Sequence, residues 1–472
     1  MGQACDFPFR PEGSPRGSAW RRRPCKRIRL HYNKGMRKRY ALMIFGCQMN
    51  IHDAERMRGA LDAEGWGESG LEEADAVILL TCCVRESAEQ RLYGRLSALK
   101  PLKEERGVVI AVGGCLAQKE GLGLIDRMPH VDVVFGTHQY PDIALLLAQA
   151  GGGGVCSTAM DGVRISGIPC SRREDFRAWI TITHGCDNFC SYCIVPYVRG
   201  REESRPMEDV VEEVGVHVAE GAREINLLGQ NVDSYRRKEE GKSRFADLLV
   251  LLGERYPEPW IRFMTSHPRD FDLEIIRAIA QTGNICEYVH LPLQAGSDHI
   301  LTAMNRGYSR HEYLKKAGEL RSIVPGVTLS TDLIVGFPGE SDEDFSATLE
   351  MVELCRFDAA FTFLYNAREG TSASRLPDDV PAHVKRERLH RLMDVTRRLT
   401  YASLCSEVGT EQTVLVYGPS RKDPQRWSAR TRNNKLVHFQ RSDDDLCGRF
   451  AHVNITAAGS WSLHGELVGI PG

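Results

Sequence analysis

The 472-residue chain has no uninterrupted apolar run approaching the roughly 18 residues that a membrane-spanning helix needs, which excludes an ordinary transmembrane segment. It also lacks a dominant charge, with 61 basic and 63 acidic residues leaving a formal net charge of −2. Its 15 cysteines are too sparse for a disulfide scaffold and too many to ignore. They point to metal or redox chemistry in a reducing, cytoplasmic compartment. The opening stretch has no apolar segment of the kind a secretory signal carries. What is present is a folded composition, 42% hydrophobic and 26% charged, long enough for several domains with at least one sizeable core.

The near-zero total charge hides an asymmetry. Residues 1–40 carry nine Arg and three Lys against two acidic residues, a local charge of +10, so the remaining 432 residues sum to −12. Residues 1–36 read as a basic, disordered or non-native extension. The readings that stay open are an arm that meets nucleic acid, an Arg-rich organellar presequence, and sequence upstream of a start at Met36. Cys5 and Cys25 lie in this stretch and are not expected to be ligands.

From Tyr40 the pattern becomes regular. YALMIFGC predicts a strand, followed by a helix through Asp53, Arg56 and Leu61. DAVILLTC (75–82) and VVIAVGGC (108–115) repeat the unit, and VDVVFG (131–136) adds a fourth strand. This alternation predicts a parallel α/β domain over 37–150 whose strand ends share one edge. Residues 151–171 read as a linker, with a candidate hairpin from Val155 to Ile168. A second α/β region, 172–405, carries candidate strands at 178–182, 224–228, 260–264, 288–293, 328–336 and 359–365. Helical patterns separate them, notably at 206–220, 271–281, 309–323 and 341–355. About six such units fit a full or partial TIM-type (β/α) barrel with its chemistry at the C-terminal strand ends. A long amphipathic helix, 378–406, leads out of it.

Residues 406–472 change to short alternating strands and predict a small β-barrel. Arg421, Lys422, Arg426, Arg430, Arg432 and Lys435 cluster there against only Asp423. Such a surface can hold a phosphate backbone, or it can be a solvated basic face without a ligand. The fold class is α/β in three parts.

Two cysteine constellations carry the chemistry. Cys186, Cys190 and Cys193 form a C-x3-C-x2-C loop directly after a strand. Three thiolates on one loop hold three irons of a [4Fe–4S] cluster and leave the fourth open to an exogenous ligand. Zinc is the competing reading, but His184 or Cys170 as the fourth ligand requires awkward local geometry. Cys47, Cys82 and Cys115 each sit at the same end of a predicted parallel strand, so they can converge on one cluster, or be small buried hydrophobes. Cys83 is expected to point elsewhere, as packing. Glu224, Asn226, Gln230, Asn231, Ser330 and Asp332 lie near strand ends where they can line a cofactor pocket, or complete one another's hydrogen bonds. Arg205 can pair with a cofactor carboxylate or with a nearby acid.

At these residues the chain resembles the radical S-adenosylmethionine (SAM) methylthiotransferases, most closely the bacterial branch that acts on tRNA. The resemblance runs over residues 38–470, through GCQMN (46–50), TCCVRESAE (81–89), GGCLAQ (113–118), the Cys186 triplet, YVRGREESR (197–205), LLGQNV (227–232), HLPLQAGSD (290–298) and TDLIVGFPGE (331–340). The terminal barrel looks like a TRAM domain. The resemblance implies that Cys186, Cys190 and Cys193 hold the SAM-binding cluster, with Tyr192 near the adenine. It implies that Cys47, Cys82 and Cys115 hold an auxiliary [4Fe–4S] cluster that carries the inserted sulfur. It further implies methylthiolation at C2 of N(6)-dimethylallyladenosine, position 37 of the tRNA anticodon loop. There a single-stranded base is splayed into a pocket while the small barrel holds the backbone. Methylthiolation of N(6)-threonylcarbamoyladenosine-37 or of an aspartate in a ribosomal protein is the nearest alternative, and a noncatalytic Fe–S RNA-binding protein is a more distant one. An electron donor such as flavodoxin or ferredoxin, a sulfur carrier or Fe–S assembly protein, no membrane and a monomeric state complete the expectation. Three positions depart from the family pattern: Leu80 for a common Asn, the additional Cys83, and Ala295 for a frequent Ser. Leu80 cannot donate the hydrogen bonds that Asn could give near the auxiliary cluster.

Overall fold

The computed structural model describes residues 38–83, 86–150, 154–160, 166–442 and 444–471. The basic extension, with Cys5 and Cys25, lies outside the described residues, as does 161–165 of the expected hairpin.

The first region alternates β1 (Arg39–Phe45), α1 (Gln48–Ala63), β2 (Gly67–Glu68), β3 (Ala76–Thr81), α2 (Glu86–Arg106), β4 (Val109–Gly114), α3 (Cys115–Glu120), α4 (Leu122–Arg127), β5 (Val133–Phe135), α5 (Ile143–Gln149) and β6 (Val155–Ser157). The six strands are parallel in the order β2-β1-β3-β4-β5-β6. Their near-continuous apolar composition follows from burial on both faces. Val77, Leu79, Ile110 and Val112 pack under Leu92 and Leu96 of α2, while Ile78, Leu80, Ala111 and Phe135 pack under Met57 and Leu61 of α1. Leu80 is thus a core residue of the α1 face. The expected hairpin is corrected by β6, which pairs in parallel with β5 as the edge strand. Three residues are too few for a period to reveal their partner. The supposed linker is also docked: Ser171 N–H donates to Glu55 O (3.0 Å) and the Arg56 guanidinium donates to Ile168 O.

The central region follows as β7 (Arg177–Thr181), β8 (Thr183–His184), α6 (Val195–Arg199), β9 (Glu203–Ser204), α7 (Met207–Ala219), β10 (Glu224–Leu228), α8 (Arg237–Glu240), α9 (Phe245–Arg255), β11 (Trp260–Phe263), α10 (Leu273–Gln281), β12 (Tyr288–His290), α11 (Asp298–Ala303), α12 (Arg310–Ile323), β13 (Thr328–Val335), α13 (Asp342–Cys355), β14 (Ala359–Leu364) and α14 (Ala382–Cys405). Capping boxes start two of its helices, Ser309 with Glu312 and Ser341 with Asp344. Parallel sheets β11-β10-β7 and β12-β13-β14 are linked by an Ile261–Ile285 bridge into an open arc, so the barrel is partial. The strand expected at 288–293 ends at His290, two residues before Pro292, which has no N–H to give a ladder.

The C-terminal strands β15 (Glu411–Pro419), β16 (Arg426–Thr431), β17 (Leu436–Gln440), β18 (Phe450–Ala458) and β19 (Leu463–Gly469) close into a barrel around Trp427, Phe439 and Val453. This barrel packs on the N-terminal ends of the central strands. Leu415 and Phe450 meet Trp260 and Cys286, and Tyr417 Oη donates to Glu224 (2.6 Å). Arg262, buried, donates to the carbonyls of Thr431 (2.8 Å) and Arg432 (2.7 Å). Arg262→Ala leaves two carbonyls and the buried Glu224 without it, a loss of about 3–5 kcal/mol. The expected outcome is a separate early unfolding transition and new proteolytic cleavage near residue 406, read by denaturant titration and limited proteolysis.

Candidate functional site

Strand register gathers the first three cysteines. At the ends of β1, β3 and β4, Phe45 lies opposite Thr81 and Thr81 opposite Gly114. Each chain then leaves the sheet through a cysteine. Cys47 is the N-cap of α1, Cys82 follows β3 with its N–H on Phe45 O (3.0 Å), and Cys115 opens α3. Gly114 permits the last turn, because its φ is 95° and a Cβ there would lie 2.4 Å from Thr81 O. The Cys47 thiol meets that of Cys82. Cys83 packs in the core with Leu79, Leu92 and Leu116 as expected, but it does not point away from the site, since its thiol reaches Cys115. Both residue 82 and residue 83 lie beyond the end of β3, where pleating no longer forces neighbours to opposite faces. The Cys82 thiol, Arg199 and the N–H groups of Asn50 and Met49 outweigh burial and hold Cys47 below the ordinary thiol range. The Cys83 thiol and Arg199 do the same for Cys115, again against burial.

The second triplet lies on the loop between β8 and α6. The loop turns at Gly185, φ 76°, where a Cβ would lie 2.0 Å from Arg201 O. Burial pushes Cys186 up to about 11 and Cys193 up to about 12, so these thiols keep their protons until a cation displaces them. Arg306 Nη1 donates to Cys190 Sγ (3.3 Å) and reaches the Tyr192 hydroxyl (3.5 Å), while Nη2 donates to Pro292 O (2.9 Å). Tyr192 packs on a cluster of Ala295, Phe337 and Tyr365. The methyl of Ala295 suits this apolar contact without the partner that a Ser hydroxyl would need.

One side chain links the segment after the second triplet to the first triplet. Arg199, on α6, pairs through Nη2 with Asp53 of α1 (2.7 Å) and points Nε at Cys115 Sγ (3.4 Å). Burial pushes the Asp53 carboxyl up, but Arg199 and His52 override it and hold the group down to about 2. Nitrogens without a hydrogen-bond partner surround this junction: Asn50 Nδ2, both ring nitrogens of His184, and Arg199 Nη1. Asn50 Nδ2, Arg199 Nη1 and the single ring N–H of a neutral His184 are donors that are costly to bury without acceptors, and the sulfides of a [4Fe–4S] cluster are acceptors of the kind they require. The residues present therefore fit such a group. Among the described residues no three Cys, His, Asp or Glu side chains close into the tight shell of a single ion. A four-iron cube instead takes each thiolate on a separate corner. The zinc reading gains nothing from Cys170, which lies beside Arg56 and Glu55.

The expected pocket residues divide. Ser330 and Asp332 share the β13 face opposite Leu333, which packs under the helices. His290, absent from the expected set, stands between them, with Nδ1 2.9 Å from Ser330 Oγ and Nε2 3.3 Å from Asp332 Oδ2. Gln230 and Asn231 follow the C-terminal end of β10. Gln230 Oε1 is buried without a partner and Asn231 Nδ2 donates to Asp270 (2.7 Å). Glu224 is a correction: it begins β10, at the opposite strand edge, and accepts from Asn226 Nδ2 (2.9 Å) and Tyr417. That bond also holds Asn226. For Arg205 the nearby acid is Glu213 (2.6 Å), and its Nη1 also donates to Thr181 O (3.0 Å). The basic cluster of the small barrel is likewise not opposed by Asp423 alone. Arg432 pairs with Glu287 (2.7 Å), Lys435 with Glu407, and Arg430 donates to Asn434 O (2.7 Å). Glu287 belongs to the central region and Glu407 precedes the first barrel strand, while Arg421 and Lys422 are exposed.

Arg199, Arg306 and His290 all lie outside the expected set. Arg199 and His290 fall inside the quoted motifs YVRGREESR and HLPLQAGSD, but nothing in one sequence marks them as neighbours of a thiol or a carboxylate.

Three family models match the chain: an uncharacterized protein family, UPF0004, over residues 39–136, the radical SAM superfamily over 180–352, and the TRAM domain over 406–468. The chain is 44% identical to the tRNA-2-methylthio-N(6)-dimethylallyladenosine synthase of Carboxydothermus hydrogenoformans, covering 91% of this chain and 99% of that one. It is 43% identical to the protein of the same name from Moorella thermoacetica, covering 92% and 99%. Among solved structures, the radical SAM methyltransferase TsrM of Kitasatospora setae, with cobalamin and a [4Fe–4S] cluster bound, superposes with a TM-score of 0.55 at 15% identity over 72% of this chain and 77% of that one. At that identity the likeness is one of fold.

Asp233, in the loop that carries Gln230 and Asn231, provides a test of this edge. Burial pushes its carboxyl up to about 8, the N–H of His267 and the Ser266 hydroxyl oppose this, and Asp270 and Asp272 add to it. The unfolded value is about 3.9, so the folded chain holds a proton that the unfolded chain releases. The stability this contributes is complete below about pH 4 and is lost as pH rises toward 8. Asp233→Asn should therefore raise the melting temperature by a few degrees at about pH 8 and less at about pH 5, measured by thermal unfolding at both.

Proposed function

We propose that this chain, which belongs to the tRNA-2-methylthio-N(6)-dimethylallyladenosine synthase family, methylthiolates C2 of N(6)-dimethylallyladenosine at position 37 of tRNA. The observation that carries the residue-level reading is the contact of Arg199, on the helix that follows the Cys186 loop, with Asp53 and Cys115 of the first α/β region. In this reading Cys186, Cys190 and Cys193 hold the [4Fe–4S] cluster that binds SAM, and Cys47, Cys82 and Cys115 hold a second. When bound, the two clusters and SAM supply the radical, the sulfur and the methyl group.

The chain's own residues then position and shield. Arg306 places a positive charge against the Cys190 sulfur and orients Tyr192 for the adenine of SAM. His290, Ser330 and Asp332 offer polar groups inside the open barrel, and Gln230 and Asn231 stand at the strand edge above. The target base enters this lumen from a single-stranded loop, where no stacking partner has to be displaced on both sides. The domain limits that accompany the reading are 37–150, 172–405 and 406–472, and the three matched ranges fall inside them. An electron donor such as flavodoxin or ferredoxin and a sulfur carrier or Fe–S assembly protein are the further partners.

The test is anaerobic reconstitution, reduction and reaction with isopentenylated tRNA and SAM, followed by nucleoside mass spectrometry. C2-methylthio product and about eight irons per chain are expected, falling to about four when either triplet is replaced by Ala. Replacing the Cys186 set should abolish SAM cleavage. Replacing the Cys47 set should leave SAM cleavage but remove the methylthio product. A maximum of four irons that is unchanged without the Cys47 set would overturn the two-cluster reading.

A further inference from the structure

We propose that Arg199 is the positioning residue of the Cys47, Cys82 and Cys115 site: a guanidinium supplied by the helix that follows the other cysteine loop, clamped by Asp53, that donates to the Cys115 sulfur and to the sulfur-bearing group held beside it. The proposal rests on the reading that these three cysteines hold a [4Fe–4S] cluster. The geometry separates this role from simple docking. Arg205, Arg262 and Arg388 are also buried, but each spends both terminal nitrogens on protein oxygens. Arg199 spends Nη2 on Asp53 and Nε on Cys115, and keeps Nη1 without a protein partner inside the junction.

Its surroundings leave it little freedom to do anything else. Arg199 is 2% exposed, and its own backbone carbonyl meets His138 Nε2 (3.2 Å). Ile194 and Val198 of the same segment pack with Cys115 and Leu116 in the core of the first region. One guanidinium thus bridges the Asp53 carboxylate (2.7 Å) and the Cys115 sulfur (3.4 Å). Hydrogen bonds and positive charge near cluster sulfur stabilise the reduced, more negative state and raise the reduction potential. The helix that follows one cysteine loop thereby tunes the cluster at the other.

The test uses the full chain with Cys186→Ala, Cys190→Ala and Cys193→Ala, so that one cluster remains, and compares it with the same chain carrying Arg199→Gln or Arg199→Lys. Each is reconstituted anaerobically with ferrous iron and sulfide, assayed for iron, and titrated by EPR-monitored reduction. The expected result is about four irons in each, a more negative midpoint potential with Gln, and an intermediate one with Lys. Loss of iron with Gln but not with Lys also supports the role, because charge at the thiols then decides retention. An unchanged potential with Gln, or equal loss of iron with Gln and Lys, overturns it and leaves Arg199 as packing. Absence of iron from the parent with intact Arg199 overturns the cluster reading itself.

Discussion

The ion pair between Asp53 and Arg199 is the constraint around which the two α/β regions are arranged. Asp53 sits two turns into the first helix, and Arg199 ends the short helix that follows the C-x3-C-x2-C loop. Both side chains are almost wholly removed from water, where removing one partner of such a pair costs about 3–5 kcal/mol. Satisfying the pair brings the C-terminal edge of the first sheet against the cluster loop of the second region. Once that contact is made, Cys115 has a guanidinium beside it and Cys47 has its charge nearby. Neither region provides that environment alone.

Strand polarity then decides where each remaining part can sit. In both α/β regions the chemistry-bearing loops leave the C-terminal strand ends, as parallel topology requires. The small barrel covers the opposite edge of the central strands, held by Arg262, Tyr417 and Arg432. A five-residue strand such as β10 separates the two edges by roughly 17 Å. Arg432 of the small barrel pairs with Glu287 of the central region and Lys435 with Glu407, so part of the barrel's positive charge is spent inside the protein.

The parts legible in the sequence were those set by local periodicity and spacing. Apolar runs marked the central strands to within a residue or two, except where Pro292 cut one short, and the strand pattern placed Cys47, Cys82 and Cys115 at one sheet edge. Cofactor-pocket residues were less accessible, because the same strand carries one end toward the chemistry and the other toward the small barrel. Glu224 and Asp332 look alike as acids on strands, yet the first is bound to Tyr417 and the second to His290. Cys83 is core packing as expected, but its thiol also reaches Cys115, because residues 82 and 83 both lie beyond the end of β3.

The amino-acid sequence by itself determined the order of the three folding units, the strand polarity within them and the two sets of thiols, since these depend on hydrophobic period, turn residues and fixed local spacing. Only the tertiary structure decided which charged side chains face the thiols. Arg199 lies 84 residues from Cys115 and Arg306 lies 116 from Cys190, and pairs that far apart are made by docking of buried surfaces, which leaves no local pattern to read.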